Sequence, residues 1–245
     1  ASLACGLAGR LFNVPLLVAE QNAVPGATNK IIARFAKVSA VSFDAVELPN
    51  PVLTGNPLRS EILRFIETDS RNETRRELGV GDRKVITAFG GSLGARHLNE
   101  TIFELSQNWE GEAISIYHIV GSRDWQDFCQ LDRKPVRNVE YEMIEYLKDL
   151  TPLIGAADLV ISRAGATSVS EITALGIPSI LVPLPNSPGG HQEENARFFE
   201  REGSAIVVRD SELNYVSLSN RISLLLTEDL ILKDMAKKAK SSRHL

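Results

Sequence analysis

Short apolar blocks alternate along this chain with longer segments in which apolar residues recur every three or four positions. Apolar blocks bounded by turn residues read as buried strands, and the wider spacing reads as helices packed on one face. Strands are expected at residues 15–19, 38–42, 52–54, 85–89, 113–120, 139–141, 159–162, 179–182 and 205–208. Helices are expected at about 28–36 with Thr28 as cap, at 61–79 as a charged pair, and at 96–108, 125–130, 147–155, 168–175 and 192–202, with more helix to the end. Alternation of this kind is the signature of parallel sheets with crossover helices, the α/β class. The segment before Gly55 is too short for a full doubly wound sheet, whereas the series after it is long enough. Gly55-Asn56-Pro57-Leu58-Arg59 is turn-rich and is the expected boundary. The chain therefore divides into residues 1–55 and 56–245.

Composition narrows the function. The chain has 245 residues, 43% of them hydrophobic, which is ordinary for a globular protein. A net charge of −4 argues against a dedicated nucleic-acid binder, since phosphate backbones need a basic face. Cys5 and Cys129 lie far apart without metal spacing and are expected as small core hydrophobes in a reducing compartment. No apolar run reaches the roughly 18 residues of a membrane span, and no charged segment precedes an apolar one as in a signal peptide. Peripheral membrane contact stays open. His97, His118, His191 and His244 lack ligand spacing, and there is no Asp-x-Asp, so no metal site is expected. His118 lies in an apolar strand and is expected to be a hydrogen-bonded core residue. The chain lacks an initiator Met, opens in a helix-like run without a cap and stops in a basic helical tail. On those grounds it is expected to be a fragment.

Three strand-to-helix corners carry candidate chemistry. The first is Ser162 to Glu171, where Gly165 and its small neighbours separate Leu159-Val160-Ile161 from a new helix. Small residues let a ligand approach the backbone, and a helix start offers free N–H groups and about half a positive charge. A carboxylate one or two turns on, Glu171, can accept two hydroxyl hydrogen bonds. Phosphate at the dipole and ribose at the carboxylate would suit a nucleotide, while a plain helix start remains the alternative. The second corner, Gly90-Gly91-Ser92-Leu93-Gly94-Ala95, has three readings. It is a phosphate cradle, a tight turn without a ligand, or a nucleophile elbow with Ser92 as nucleophile and Asp158 and His191 as partners. No His-Gly-Gly-Gly oxyanion segment precedes that serine, and the spacing is not Gly-x-Gly-x-x-Gly. The third corner, residues 185–195, sets His191, Gln192 and Asn195 at a helix start, suited to sugar hydroxyls or to capping alone. Glu20-Gln21-Asn22 and Asn29 follow an earlier strand and could face a second substrate. Arg59 at the boundary could stack on a base or pair with phosphate.

Taken together, these segments resemble the MurG family, the UDP-N-acetylglucosamine–lipid I N-acetylglucosaminyltransferases of peptidoglycan synthesis. The matching pieces are Glu20-Gln21-Asn22 with Gly26-x-Thr28-Asn29-Lys30, Gly55-Asn56-Pro57-x-Arg59, and Gly90-Gly91-Ser92-x-Gly94-Ala95. Arg163-x-Gly165-Ala166-x-Ser168-Val169-Ser170-Glu171 and His191-Gln192-x-x-Asn195-Ala196 follow in order, so the likeness spans nearly the whole chain. The resemblance implies two Rossmann-like domains of GT-B type. Residues 1–55 would be the remnant of an incomplete acceptor domain, and 56–245 a near-complete UDP-sugar domain. It implies an inverting transfer of N-acetylglucosamine from UDP to undecaprenyl-linked lipid I, without cofactor, metal or nucleic acid. The place implied is the cytoplasm, peripheral on the inner leaflet of the cell membrane.

Carried over residue by residue, Glu171 would hold the ribose, and Ser92 with Ala166, Thr167, Ser168, Val169 and Ser170 would face the diphosphate. Leu147 would meet the uracil through its backbone with Tyr146 beside it, and Arg59 would close over the nucleotide. His191 and Gln192 would read the N-acetylglucosamine hydroxyls, with Asn22 reaching the sugar from the other domain. Glu20, Asn29, Asn99 and Arg163 would lie toward the acceptor. The family's candidate general base belongs to a glycine-rich loop upstream of Ala1, and Ala19 stands where many relatives have His. The expectation is thus donor binding, with turnover dependent on a base that this sequence does not contain. A serine hydrolase using Ser92 and a catalytically silent UDP-sugar binder are the rival functions.

Overall fold

A computed structural model of the chain describes residues 2–91 and 95–242. The first unit opens with α1 (Ser2–Leu11), β1 (Leu17–Glu20), α2 (Ala27–Ile32), β2 (Val38–Val41) and β3 (Pro51–Leu53). The three strands form a parallel sheet in the order β1-β2-β3, with Leu17 opposite Val38 and Val41 opposite Leu53. Residues 54–59 lead out of this sheet into α3 (Ser60–Glu67) and α4 (Arg71–Glu77), the expected charged pair.

The second series runs β4 (Lys84–Phe89), α5 (Arg96–Asn108), β5 (Ile114–Ile119), α6 (Trp125–Phe128), β6 (Val139–Ile144) and α7 (Thr151–Ala156). It continues through β7 (Leu159–Ser162), α8 (Ala166–Leu175), β8 (Ser179–Leu181), α9 (His191–Arg201), β9 (Ala205–Val207), α10 (Tyr215–Thr227) and α11 (Asp229–Ser241). Its six strands are all parallel, in the order β6-β5-β4-β7-β8-β9. Counted from one within this unit, that order is 3-2-1-4-5-6, the doubly wound arrangement of dinucleotide-binding folds.

Covering on both faces explains why strand positions here are apolar in runs rather than alternating. Ile86, Leu98, Ile102, Ile114 and Leu159 pack with α10 and α11 on one face. Val85, Phe89, Val160, Ile172 and Leu153 pack with α3 and α7 on the other. A third cluster joins the two units: Val18, Val41 and Phe43 of the first lie against Val169, Leu181, Phe198 and Phe199 of the second. Phe43 meets Phe198 edge-on with ring centroids 4.9 Å apart and Phe199 at 5.7 Å.

The structure corrects several local expectations. Thr28 does not cap α2: the helix begins at Ala27 behind Gly26, and the Glu20 carboxylate accepts the Gly26 N–H at 2.9 Å. No helix begins at Leu147, because Asp149 Oδ1 accepts the Thr151 N–H at 2.9 Å and starts α7 there. Both cysteines are exposed rather than in the core. Cys129 closes the short α6 on its outer side, and Cys5 lies on an uncovered part of α1.

Candidate functional site

Ligands of open α/β sheets bind beyond the C-terminal strand ends, where the strand order reverses. Here that point lies between β4 and β7: the chain proceeds outward to β5 and β6 on one side and to β8 and β9 on the other. Phe89 pairs with Ser162 at the last rungs of these two strands. The Gly90 and Arg163 corners therefore leave the sheet side by side.

The glycines at these corners serve different needs. A Cβ on Gly90 would stand 2.3 Å from the Ala95 Cβ, and Gly91 has φ 101°, so the turn itself requires both. Gly165 has φ −65°, open to any residue, and a Cβ there would meet nothing nearer than Ser168 Oγ at 4.0 Å. Neither conformation nor internal packing demands that glycine; it leaves room for a group from outside. Ser92 lies outside the described residues.

From Gly165 the chain enters α8 without a side-chain cap. The first helical bond runs from the Val169 N–H to Gly165 O at 3.0 Å, so the N–H groups of Ala166, Thr167 and Ser168 precede it. Val169 itself is spent, its N–H in the helix and its side chain in the third cluster. Thr167 is exposed, and Ala166, Ser168 and Ser170 are half-buried.

Glu171, 6% exposed, receives a two-pronged ion pair from Arg59: Nε to Oε1 at 2.7 Å and a terminal nitrogen to Oε2 at 3.1 Å. The other terminal nitrogen of Arg59 donates to Lys148 O at 3.0 Å, beside Leu147 and the exposed Tyr146. Arg59 thus spans the carboxylate expected for ribose and the loop expected for the base. Its neighbour Asn56 donates to Ser170 Oγ at 2.8 Å and Gln21 O at 3.2 Å and accepts from Ser42 Oγ at 2.9 Å.

The third corner closes on the same place. Gln192 Oε1 accepts the N–H groups of Leu184 at 3.0 Å and Ala164 at 3.2 Å. With its oxygen held by two backbone donors, Gln192 presents its NH2 outward. Asn195, fully buried, accepts the Ala23 N–H at 2.8 Å and donates to Asn22 Oδ1 and Ala164 O, both at 3.2 Å. Half-buried His191 opens α9, with its buried Nδ1 unpartnered among the described residues. The structure thus brings Asn22, Arg59, the start of α8, Glu171 and Gln192 to one seam between the two units.

The four residues expected toward an acceptor divide differently. Asn29 stays near the strand end, donating to Glu20 Oε2 at 2.8 Å. Glu20 is buried and accepts from the Asn22 and Gly26 N–H groups and from Asn29. Burial pushes its carboxyl up, but these bonds outweigh it and hold the pKa below its ordinary value. Asn99 does not face a cleft: it is fully buried, donating to Val120 O and Asp124 Oδ2 at 2.9 Å each. Those donations fix its Oδ1 as an acceptor, so His118 Nε2–H donates to it at 3.0 Å and Nδ1 accepts from Tyr141 OH at 2.7 Å. His118 is thus the hydrogen-bonded core residue expected, kept neutral by burial, with a pKa pushed down to about 3.

Arg163 also points inward: one terminal nitrogen donates to Val182 O and Pro183 O at 3.2 Å and pairs ionically with Asp210 Oδ1 at 2.6 Å, a contact not aligned as a hydrogen bond. Asp210 carried no local signal in sequence, and neither did the bridging role of Asn56.

The hydrolase triad fails on topology. Asp158 stands just before β7 and His191 after β8, at opposite ends of parallel strands. Asp158 is moreover engaged by Arg71, Arg75 and the Val85 N–H. A half-open cavity of about 490 Å3 lies near Asp158 and Lys84, at the N-terminal strand ends and away from the corners. Among the described residues no cluster could hold a metal ion, and no helix is long and apolar enough to cross a membrane.

Comparison with known proteins agrees with this geometry. Residues 85–245 match the glycosyltransferase family 28 C-terminal domain. Over 243 residues the chain is 40% identical to the UDP-N-acetylglucosamine--N-acetylmuramyl-(pentapeptide) pyrophosphoryl-undecaprenol N-acetylglucosamine transferase of Acetivibrio thermocellus, covering 94% of this chain and 64% of that protein. It is 37% identical over 248 residues to the protein of that name from Caldanaerobacter subterraneus subsp. tengcongensis, covering 97% of this chain and 67% of the relative. The crystal structure of Acinetobacter baumannii MurG superposes with a TM-score of 0.79 at 30% identity, over 98% of this chain and 66% of that one. The chain thus spans about two thirds of the length of the relatives it matches. It belongs to glycosyltransferase family 28 and, within it, to the MurG family, with the GT-B type of fold.

Proposed function

We propose that this member of the MurG family binds UDP-N-acetylglucosamine and supplies the donor side of an inverting transfer to lipid I, which makes lipid II for peptidoglycan. The acceptor hydroxyl of the muramoyl sugar attacks C1 of N-acetylglucosamine as the C1–O bond to the diphosphate breaks. UDP leaves with the bonding electrons, and the hydroxyl proton passes to a base, for which no residue of this chain is assigned. The contribution of the chain is electrostatic. The N–H groups at the start of α8 and the Ser92 corner meet the negative charge that develops on the leaving diphosphate.

The observation that carries this reading is the room left at Gly165, beside the exit of β4 and one helical stretch before Glu171. Glu171 takes the ribose hydroxyls once Arg59 gives up part of its hold and closes over the nucleotide. Leu147 offers its backbone to the uracil, with Tyr146 alongside. Gln192 donates to sugar oxygens, with His191 and Asn22 at the rim. Glu20 and Asn29 shape the facing loop on the acceptor side. The domain division at 55/56 follows the same reading, and so does a cytoplasmic place on the inner leaflet of the membrane, where the lipid acceptor is.

Calorimetric titration with UDP-N-acetylglucosamine tests the donor site. Glu171→Ala is expected to weaken binding by about 1.5–3 kcal/mol, the range for hydrogen bonds to a charged group. Unchanged affinity in a folded variant rejects the assignment. Transfer to lipid I, assayed in parallel, separates turnover from a silent binder.

A further inference from the structure

We propose that Asp210 is a positioning residue that sets the separation of the two helix N-termini around the diphosphate; this rests on the donor-site reading above. Asp210 begins a 3-10 turn, Asp210–Glu212, just after β9 and at the same end of the sheet as the corners. Its Oδ2 lies 3.1 Å from His97 Nδ1, on the second residue of α5. Its Oδ1 lies 2.6 Å from a terminal nitrogen of Arg163, two residues before Gly165. One carboxylate therefore ties the start of α5, which follows the Gly90 corner, to the turn that launches α8.

The Arg163 nitrogen continues the tie to Val182 O and Pro183 O at the exit of β8. Three strand exits of the sheet (β7, β8 and β9) and the start of α5 are thereby held by one ionic cluster. Among the described residues neither α5 nor α8 has a side-chain cap at its N-terminus, so no cap there fixes how their free N–H groups converge.

A bare carboxylate behind a diphosphate subsite would repel the ligand. Here its charge is matched by the Arg163 guanidinium, whose side chain is 10% exposed, while that of Asp210 is 18% exposed. Burial raises the Asp210 pKa, yet the His97 and Arg163 contacts outweigh it and keep the group ionised. The Arg163–Asp210 pair holds position without adding net charge. Re-aiming the first N–H groups of either helix by a fraction of an ångström would disturb contacts to phosphate, which depend on converging N–H groups, whereas Glu171, further along α8 and held by the buried Val169 and Ile172 beside it, and Leu147 keep the ribose and base contacts.

The test compares UDP with uridine by calorimetry on the full chain. Asp210→Asn keeps the shape and removes the charge; His97→Ala removes one arm at a half-exposed position. Asp210→Asn is expected to weaken UDP about tenfold, the factor carried by 1.4 kcal/mol, with uridine changed less than about twofold. His97→Ala is expected to move UDP in the same selective way by about threefold. Equal losses for UDP and uridine would show a merely structural role and overturn the proposal. Unchanged UDP affinity in folded variants overturns it as well. Wild-type chain that binds neither compound rejects the donor site and this inference together. Wild-type binding insensitive to Glu171→Ala rejects the ribose assignment alone, because the Asp210 comparison is still read on UDP against uridine.

Discussion

The two sheets are made of the same kind of parallel strand, yet they are held in different ways. In the six-stranded sheet β5 is buried at every position and β4 at all but its first. In the three-stranded sheet β1 alternates exposed and buried, and β3 is exposed throughout. The larger sheet has a cluster on each face. Among the described residues the smaller shares its one large cluster with α8 and α9 of the other unit, and leaves Leu7, Leu11, Phe12 and Leu17 of its outer side in solvent. One unit carries its own core; the other borrows one. The seam that lends the core also holds Asn22, Arg59, Ser170 and Glu171, the groups the donor reading uses. The proposed donor site and the docking of the small unit thus draw on one set of side chains.

The sharpest way to break this contrast is at Phe43. Phe43→Ala should cost about 3–5 kcal/mol, the range for a large aromatic removed from a core. The loss should fall on the small unit: amide hydrogens of β1 and β2 exchange faster while those of β4, β5 and β7 stay protected. Equal loss of protection across both sheets would mean that they unfold as one body. Next, Ile116→Ala inside the large sheet should cost about 2–5 kcal/mol and lower the whole denaturation midpoint, since β5 is buried along its whole length.

Acid should separate the units more gently. His118 is kept neutral by burial, with a pKa pushed down to about 3, whereas an unfolded histidine takes its proton near 6.5. Its contribution is complete above about 6.5 and declines as the pH falls toward 3. Glu20, held below its reference value of 4.5, contributes fully above 4.5 and loses this only as the pH falls through its depressed value. Between pH 6 and 5 the large unit should therefore weaken while the Glu20 loop holds. His118→Gln should flatten that slope in urea titrations; an unaltered slope would remove His118 as its source. The smallest effect is expected at Leu11, 78% exposed, where Leu11→Ser should change stability by under about 0.5 kcal/mol. A larger loss by thermal melting would show that the uncovered face of α1 is packed after all.

Much of the fold could be read along the chain because strands covered on both faces leave unbroken apolar runs. Residues 96–108 and 159–162 came out as expected to the residue. Edges were misplaced where a polar side chain just upstream set the boundary: Glu20 for α2, Asp149 for α7. The candidate site was half legible. Gly165, Glu171 and Gln192 signalled themselves by sitting at corners. Asn99 and Arg163 were assigned outward because nothing local showed that Asp124 and Asp210 would claim them. The cysteines were expected inside on residue type alone, which says nothing of which side of a helix is covered.

Periodicity and turn chemistry, both properties of near neighbours in sequence, were enough to specify a parallel α/β chain with its corners at strand exits. Which polar groups remain available at those corners is a different matter. A buried donor or acceptor takes whatever partner lies within about 3 Å, and for Arg59 and Glu171, or Asn195 and Ala23, that partner lies 112 or 172 residues away along the chain. Only the packed molecule brings such pairs together, so only the tertiary structure decided which side chains stay available at the corners and which are taken up within the protein.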